Sequence, residues 1–204
     1  MTAVNSKSQY CESMKLWRVP SPGDIELLHA AYVRQTFARH FHENFAVGII
    51  EDGVLGFSYR GENVIAPRES ISLAFPGEAH DGHAATPRGW KYRMFYLDIS
   101  LMENAYLEIS ETKRCLPFFR PGVIHDDYLA SIIGHLHRSL QGAVAPQLEQ
   151  ESRLLWMLIQ LITRHADEPP RMDPIGREHE SVRRIRMYII DRPYIHWPRR
   201  NTHG

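Results

Sequence analysis

Cysteine is scarce in this chain, and long apolar runs are missing. The 204 residues include two cysteines, Cys11 and Cys115, too few for the disulfide framework of a small secreted domain. No apolar run approaches the ~18 residues that a membrane-spanning helix needs, and residues 1–15 lack the apolar core of a signal peptide. We therefore expect a soluble protein in a reducing cytoplasm.

Net charge is lacking as well, because 24 Lys and Arg residues balance 24 Asp and Glu residues. The overall balance therefore gives no indication of binding to nucleic acid or to an anionic membrane. Only the stretch 183–200 is visibly basic. With 43% hydrophobic residues, the chain fits one globular domain, or one domain plus a fragment of another.

Glycine and proline divide the first half into short apolar segments. Leu55, Phe57 and Tyr59 alternate with small or polar residues, which predicts three inward-facing side chains on one strand. Asp52-Gly53 predicts a tight hairpin, and residues 80–82 a further turn. Segment 24–37 fits a helix or a strand, and we favour extended structure. Strands are predicted at 16–19, 45–50, 55–59, 64–66, 71–75 and 90–97, and this spacing predicts an antiparallel sandwich or barrel.

The hydrophobic period changes to that of helices after residue 125. His125-Asp126-Asp127 offers an N-cap, and Gly142 a stop for the first helix. A second helix, from about Pro146 to Ala166, is apolar around nearly its whole circumference. One side can pack on the barrel, and we predict that the other side binds a second subunit. The predicted dimerisation residues are Leu155, Leu158, Ile159 and Ile162.

The chain is similar in five motifs, in order, to the AraC (arabinose-operon) family of transcription regulators. The motifs are Tyr32-Val33-Arg34-Gln35-Thr36-Phe37-Ala38-Arg39-His40-Phe41-His42-Glu43, Gly48-Ile49-Ile50-Glu51-Asp52-Gly53, Tyr59-Arg60-Gly61, Phe75-Pro76-Gly77-Glu78-Ala79-His80-Asp81-Gly82 and Tyr92-Arg93-Met94-Phe95-Tyr96-Leu97-Asp98. The resemblance covers about residues 15–191. It implies an α+β fold, in which a cupin-like antiparallel β-barrel of jelly-roll type is followed by two helices that form a dimerisation hairpin.

The same resemblance implies a DNA-binding half with two helix-turn-helix units. Residues 179–191 resemble its first helix, and the pattern is lost after Asp191. Too little chain follows for a recognition helix in the major groove, so we expect most of the DNA-binding half, and specific DNA binding, to be missing. The predicted organisation is a flexible tail (1–14), the effector-binding and dimerisation domain (15–166), a linker (167–178), the remnant helix (179–191) and an aperiodic tail (192–204).

Three histidines are the leading candidates for a site. His40 and His42 lie two residues apart, so both imidazoles share one face if the segment is extended, and a barrel can bring His80 to the same mouth. Three imidazoles can bind a divalent ion. However, Ala46 and Val47 occupy the places where the cupin metal set usually has a glutamate, Glu69 stands where its glycine is expected, and Glu78 is a poor substitute ligand. We therefore predict no metal and no cofactor.

The histidines are better interpreted as the polar mouth of an effector pocket with aromatic walls. Alternation along one strand puts Trp90, Tyr92 and Tyr96 on one face and Arg93 on the other. The predicted ligand-binding residues are His40, His42, His80, Tyr59, Trp90, Tyr92 and Tyr96. The sequence thus predicts a small-molecule sensor that forms a homodimer and is not an enzyme. Two alternatives stay open, a small metal-dependent cupin enzyme of the three-His dioxygenase or isomerase type, and a purely structural dimer module.

Overall fold

The computed structural model describes residues 11–20, 23–110, 116–142 and 146–170, which contain nine strands and three helices. The predicted remnant helix (179–191), the tail (192–204), most of the linker and the first ten residues lie outside this part of the chain. The strands are β1 (Ser13–Val19), β2 (Ile25–Tyr32), β3 (Thr36–His40), β4 (Phe45–Tyr59), β5 (Glu62–Pro67), β6 (Ile71–Ala74), β7 (His80–Ala84), β8 (Trp90–Leu97) and β9 (Val123–Ile124). The helices are α1 (Ile99–Leu107), α2 (Asp127–Gln141) and α3 (Gln147–His165).

All strand pairs are antiparallel, and the long strand β4 belongs to two sheets. Its first half pairs with β6 and β8 in a sheet of order β1-β2-β8-β4-β6-β9. Its second half pairs with β5 and β7, and β3 pairs with β7. The predicted fold class is confirmed, because a cupin-like antiparallel barrel is followed by a pair of helices. No helix among the described residues is long and apolar enough to cross a membrane.

The predicted hairpin at Asp52-Gly53 is wrong, because β4 continues through both residues. Gly53 has φ of 72°, and the register with β8 shifts between Ile50 and Asp52. The chain therefore forms a bulge, which bends β4 from one sheet into the other. The hairpin occurs at Arg60-Gly61 instead, where φ is 52° and 82°, as a turn of type I′ requires.

Three other predictions need correction. Residues 80–82, predicted as a turn, lie in β7, and β1 begins at Ser13, inside the predicted flexible tail. Helix α1 was not predicted. It starts after Asp98, whose carboxylate accepts a hydrogen bond from the Ser100 amide at 2.8 Å, as an N-cap does. Segment 24–37 is extended as favoured, since it contains β2 and the start of β3.

Helices α2 and α3 lie close to the predicted bounds. Asp126 caps α2, because its side chain accepts a hydrogen bond from the Leu129 amide at 3.0 Å, and Gly142 follows the last turn. Pro146 precedes α3. Helix α2 packs on the outer face of the larger sheet, and α3 packs on α2. The two helices form one apolar core with the odd-numbered residues of β2, β4 and β8. A second apolar core fills part of the barrel interior.

The predicted dimer face of α3 is wrong in its two central residues. Leu158 is 2% exposed and Ile162 is fully buried, both within the core of the protomer. Helix α1 packs against α3, as α2 does, and its residues Met102 and Ala105 belong to the same core as Leu158 and Ile162. Leu155 and Ile159 are half-buried. The exposed apolar side chains of α3 are Leu148 and Trp156, at 74% and 51%.

Candidate ligand-binding site

A cavity of about 570 Å³ lies inside the barrel. This volume is in the range of small-molecule sites. Its buried wall is largely apolar and aromatic, and its half-buried end carries the three histidines. The lining residues are Met14, Leu16, Glu26, Leu28, Tyr32, Phe37, His40, Phe41, His42, Glu43, Asn44, Ala46, Leu55, Phe57, Ser72, Ala74, His80, Asp81, Gly82, Trp90, Tyr92, Met94 and Tyr96.

Strand alternation places the walls of the cavity. Every second residue of β8, from Trp90 to Tyr96, lines the cavity, while the residues between them face the helices. The same holds in β2 for Glu26, Leu28 and Tyr32. The Tyr32 ring lies 5.3 Å from that of Trp90 and 5.4 Å from that of Phe37, between centroids. These contacts form a continuous aromatic wall.

The three histidines meet at one end of the cavity. His40 ends β3, His80 begins β7, and the two residues are paired in register; His42 lies in the connection to β4. Their ring centroids are 4.5–5.0 Å apart. One nitrogen from each ring lies within 4.8 Å of the other two. The convergence expected from the sequence is therefore present, although β3 ends before His42.

Hydrogen bonds define the tautomer of two of these rings. Nδ1 of His40 donates to the Ala38 carbonyl oxygen at 2.8 Å, and Nδ1 of His80 donates to the Glu78 carbonyl oxygen at 2.9 Å. A carbonyl oxygen only accepts, so Nδ1 carries the proton in both rings. In the neutral imidazole Nε2 is then an acceptor.

Burial disfavours charge of either sign in this cavity. It lowers the pKa of His42 to about 4, helped by the neighbouring His80 and His40, and it also lowers the pKa of His80. Burial raises the pKa of Tyr96 to about 12 and raises that of Tyr92 as well. Near neutral pH, His42 and His80 are therefore uncharged imidazoles, and the two tyrosines are uncharged phenols.

Six of the seven predicted ligand-binding residues line the cavity, and Tyr59 does not. Tyr59 is 3% exposed, and its hydroxyl accepts a hydrogen bond from the Phe75 amide at 3.2 Å. Gly122 packs against the Tyr59 ring. The alternation predicted correctly that Tyr59 points inward, but later chain segments cover it, and a local pattern does not report them.

Several lining residues were missed by the sequence analysis, most clearly Tyr32 and Phe37. Both lie in the segment that fits helix or strand equally well, so no face could be assigned to them. The alternation of Glu26, Leu28 and Tyr32 is visible only once the segment is known to be a strand. Phe57, predicted to point inward, does line the cavity.

The histidine cluster offers three imidazoles to a metal ion without a carboxylate. Glu78 bonds to Nε of Arg60 at 3.0 Å, and Asp81 accepts a hydrogen bond from the Ser58 amide at 2.7 Å. The Nδ1–carbonyl bonds of His40 and His80 are the outer bonds that orient metal-binding imidazoles. The residues fit a three-His site, and His40, His42 and His80 would hold the ion.

Arg93 lies on the opposite face of β8, as the alternation predicted, and connects the barrel to α2. It forms an ion pair with Glu51 and donates to Nδ1 of His137 at 3.2 Å and to Oε1 of Gln141 at 3.1 Å. Nε2 of His137 then carries the proton and donates to the carbonyl oxygens of two pocket residues, Leu28 and Met94, at 3.1 and 3.2 Å. No local sequence pattern indicates this cluster, because its members are far apart in the chain.

The chain matches a known protein family over more than half of its length. Residues 22–158 match the model of the AraC-like ligand binding domain. Among curated proteins, the chain is similar to an uncharacterised HTH-type transcriptional regulator, YbfI, of Bacillus subtilis, with 27% identity over 143 residues. That alignment covers 70% of this chain and 51% of the regulator, so the chain spans about half the length of this relative.

Among solved structures, the chain is similar to the two that follow. One is a cupin-2 domain-containing protein from Shewanella frigidimarina, at 17% identity and a TM-score of 0.35, covering 41% of this chain and 79% of that one. The other is KdgF from a Halomonas species, at 16% identity and a TM-score of 0.35, covering 43% and 87%.

Proposed function

The chain belongs to the family of AraC-like ligand-binding domains, and we propose that its barrel cavity binds a small-molecule effector. The observation that supports this is the cavity itself, about 570 Å³ in volume, with a buried aromatic wall and three histidines converging at one end. Apolar walls with a few convergent polar groups are typical of ligand sites. We infer that the domain acts as a sensor in the cytoplasm rather than as an enzyme.

In a regulator of the kind named for the Bacillus relative, the sensor would control a helix-turn-helix unit. Binding of the effector changes DNA binding only if the effector favours one arrangement of the protein over another. The link from pocket to helices runs through His137, whose ring bonds the backbone of β2 and β8. A change in the spacing of these strands would therefore reach α2 directly.

A second copy of the chain is the proposed partner of the α2–α3 surface. A groove of about 440 Å³ lies between the two helices and includes the half-exposed Trp156 beside Ile132 and Leu136. Exposed apolar patches of this kind mark interfaces. Trp156 thus replaces Leu158 and Ile162 as the centre of the proposed homodimer contact.

The effector proposal is tested by thermal unfolding of the full chain with a panel of uncharged, anionic and cationic small molecules. A ligand that binds the native state at about 100 times its Kd stabilises it by about 2.7 kcal/mol, so at least one compound is expected to raise Tm. Ala46→Phe fills the cavity and should abolish that rise. Ala85→Phe makes the same change at an exposed position outside the cavity, so it is the matched control and should keep the rise. A rise that survives Ala46→Phe, or no rise with any compound, contradicts the proposal.

A metal-dependent cupin enzyme is the second candidate, and the outer hydrogen bonds of His40 and His80 favour it. A divalent ion there would supply a Lewis acid, and the three imidazoles would hold it. Elemental analysis of protein purified without added ions distinguishes the two candidates. Stoichiometric iron, zinc or manganese that is lost in His42→Ala supports the enzyme, and a metal-free folded protein refutes it.

A further inference from the structure

We propose that the cavity takes an uncharged ligand with an aromatic body and a hydroxyl group at one end, the chemistry of a substituted phenol. This inference rests on the proposed function of the cavity as an effector site, and it names the class of effector. Three features of the site support it: the charges of its lining, the separation of its polar and apolar parts, and the direction of its hydrogen bonds.

The lining disfavours an anionic ligand. Within the described residues, the charged groups of the cavity are the carboxylates Glu26, Glu43 and Asp81, and no lysine or arginine lines it. Two arginines of the barrel are engaged elsewhere, because Arg60 pairs with Glu78 and Arg93 pairs with Glu51. A carboxylate or phosphate in this cavity would lose its hydration without gaining a cation, which is costly.

The lining disfavours a cationic ligand as well. Glu26 is held by Arg18, with Nη2 and Oε1 2.7 Å apart, and Asp81 is held by the Ser58 amide. Glu43 is exposed at the mouth. An ammonium group among the three histidines would have no free buried carboxylate beside it.

Polar and apolar groups are separated in the cavity. The histidines form a half-buried polar end, whereas the buried wall is made of apolar and aromatic side chains, with the hydroxyls of Ser72 and Tyr92 among them. A sugar carries hydroxyls around its whole ring, and several of them would face apolar wall without a partner. A flat ring with one polar end matches both parts and can pack against Trp90 and Tyr92.

The polar end of the cavity favours a ligand that donates a hydrogen bond. Nε2 of His80 is an acceptor, because its Nδ1 already donates to a carbonyl oxygen. The His42 ring contacts other rings and has no hydrogen bond among the described residues. A phenolic O–H can donate to one of these nitrogens. An ether of the same shape cannot, and it leaves a desolvated acceptor unpaired.

The test is isothermal titration of the full chain, dialysed against a chelator, with five probes near neutral pH. The probes are para-propylphenol, para-propylanisole, para-propylbenzoate, para-propylphenyltrimethylammonium and methyl glucoside. We expect the phenol to bind at least about tenfold more tightly than each of the others, as the loss of one hydrogen bond or the burial of one charge requires. Tighter binding of the benzoate, the ammonium compound or the sugar overturns the proposed class and leaves the effector function standing.

Variants of the polar end give the matched comparison. His42→Leu should remove the preference for the phenol over the anisole, while His125→Leu, at an exposed position before α2, should keep it. If His42→Leu fails to fold, as circular dichroism would show, His80→Leu serves the same purpose. A preference that survives in the folded variant refutes the role of the histidines. Absence of binding by all five probes, together with no hit in the thermal panel, refutes the effector function itself.

Discussion

Two histidines, the half-buried His42 in the pocket and the buried His137 on α2, are uncharged near neutral pH. Burial lowers the pKa of His42 to about 4. Burial, followed by the charge of Arg93, lowers the pKa of His137 to about 3. In the unfolded chain both return to the ordinary value of 6.5. The folded state therefore resists protonation that the unfolded state accepts.

This difference predicts how stability depends on pH. Below the unfolded pKa of 6.5 the unfolded state binds more protons, so the free energy of unfolding should fall as pH drops from 6.5 towards 4. The slope is at most about 1.4 kcal/mol per pH unit for each group. Urea unfolding at a series of pH values measures it.

A variant at His137 measures how much this residue contributes to the pH dependence of the free energy of unfolding. His137→Gln keeps a neutral donor and acceptor and should flatten the pH dependence. Leu148→Gln, an exposed change on α3 that removes no titratable group, should leave the dependence as in the wild type. An unchanged slope in a folded His137→Gln variant would show that His137 does not titrate as its burial implies.

Gly53 is the residue whose backbone lets β4 serve two sheets. Its φ is 72°, and a Cβ at this position would lie 2.1 Å from the Gly89 carbonyl oxygen. Gly53→Ala should therefore cost more than the ~1–2 kcal/mol of left-handed backbone strain alone. Gly61→Ala is the control, because its φ is 82° and nothing lies within 4 Å of the added Cβ. Equal losses in urea unfolding would refute the role of the close contact.

At the scale of the element, Asp126 joins the start of α2 to the end of α3. It accepts the N-cap bond of Leu129 and pairs with Arg164 and His165, each at 2.7 Å. Burial by itself would raise the pKa of Asp126. The hydrogen bonds from Arg164, Leu129 and His165 have the opposite and larger effect, so the pKa lies well below its usual value. The helical hairpin thus depends on one buried carboxylate.

Asp126→Ala should lower the free energy of unfolding by about 3 kcal/mol, since it removes a cap and one partner of a partly buried ion pair. Asp127→Ala, one residue further and exposed, should cost less than about 1 kcal/mol. Thermal or urea unfolding of both variants measures the difference. Similar losses in the two variants would mean that the connection to α3 contributes little.

The strand predictions differed in accuracy according to how specific their sequence patterns are. Trp90–Leu97 was predicted with its observed bounds, because alternation and flanking turns agree over eight residues. The hairpin predicted at Asp52-Gly53 was wrong, because a residue pair that favours a hairpin turn also favours a bulge. Only the pairing of β4 with β8 and with β5 distinguishes the two.

At the scale of the whole molecule, the oligomeric state depends on which face of α3 remains exposed. Trp156→Glu should convert the proposed dimer to a monomer without loss of folding, because the side chain is 51% exposed in the protomer. Sedimentation at micromolar concentration measures this. Ile65→Glu, an equally exposed change at β5, should leave the dimer intact.

Leu158→Asp should instead unfold the protomer, since it buries a charge in the core, a change that costs several kcal/mol. Circular dichroism distinguishes this outcome from dissociation. A wild-type chain that sediments as a monomer, or a Trp156→Glu variant that stays dimeric, would refute the proposed contact.

Local patterns in the sequence were enough to predict an antiparallel barrel followed by capped helices, and to single out His40, His42 and His80. These features depend on neighbours two to four residues apart, which alternation, turn residues and caps report directly. Only the tertiary structure decided that β4 spans both sheets, that Tyr59 is covered, and that Leu158 and Ile162 lie in a core to which α1 contributes. Each of these depends on a segment distant in the chain, and hydrophobic periodicity shows that a face is buried without showing what buries it.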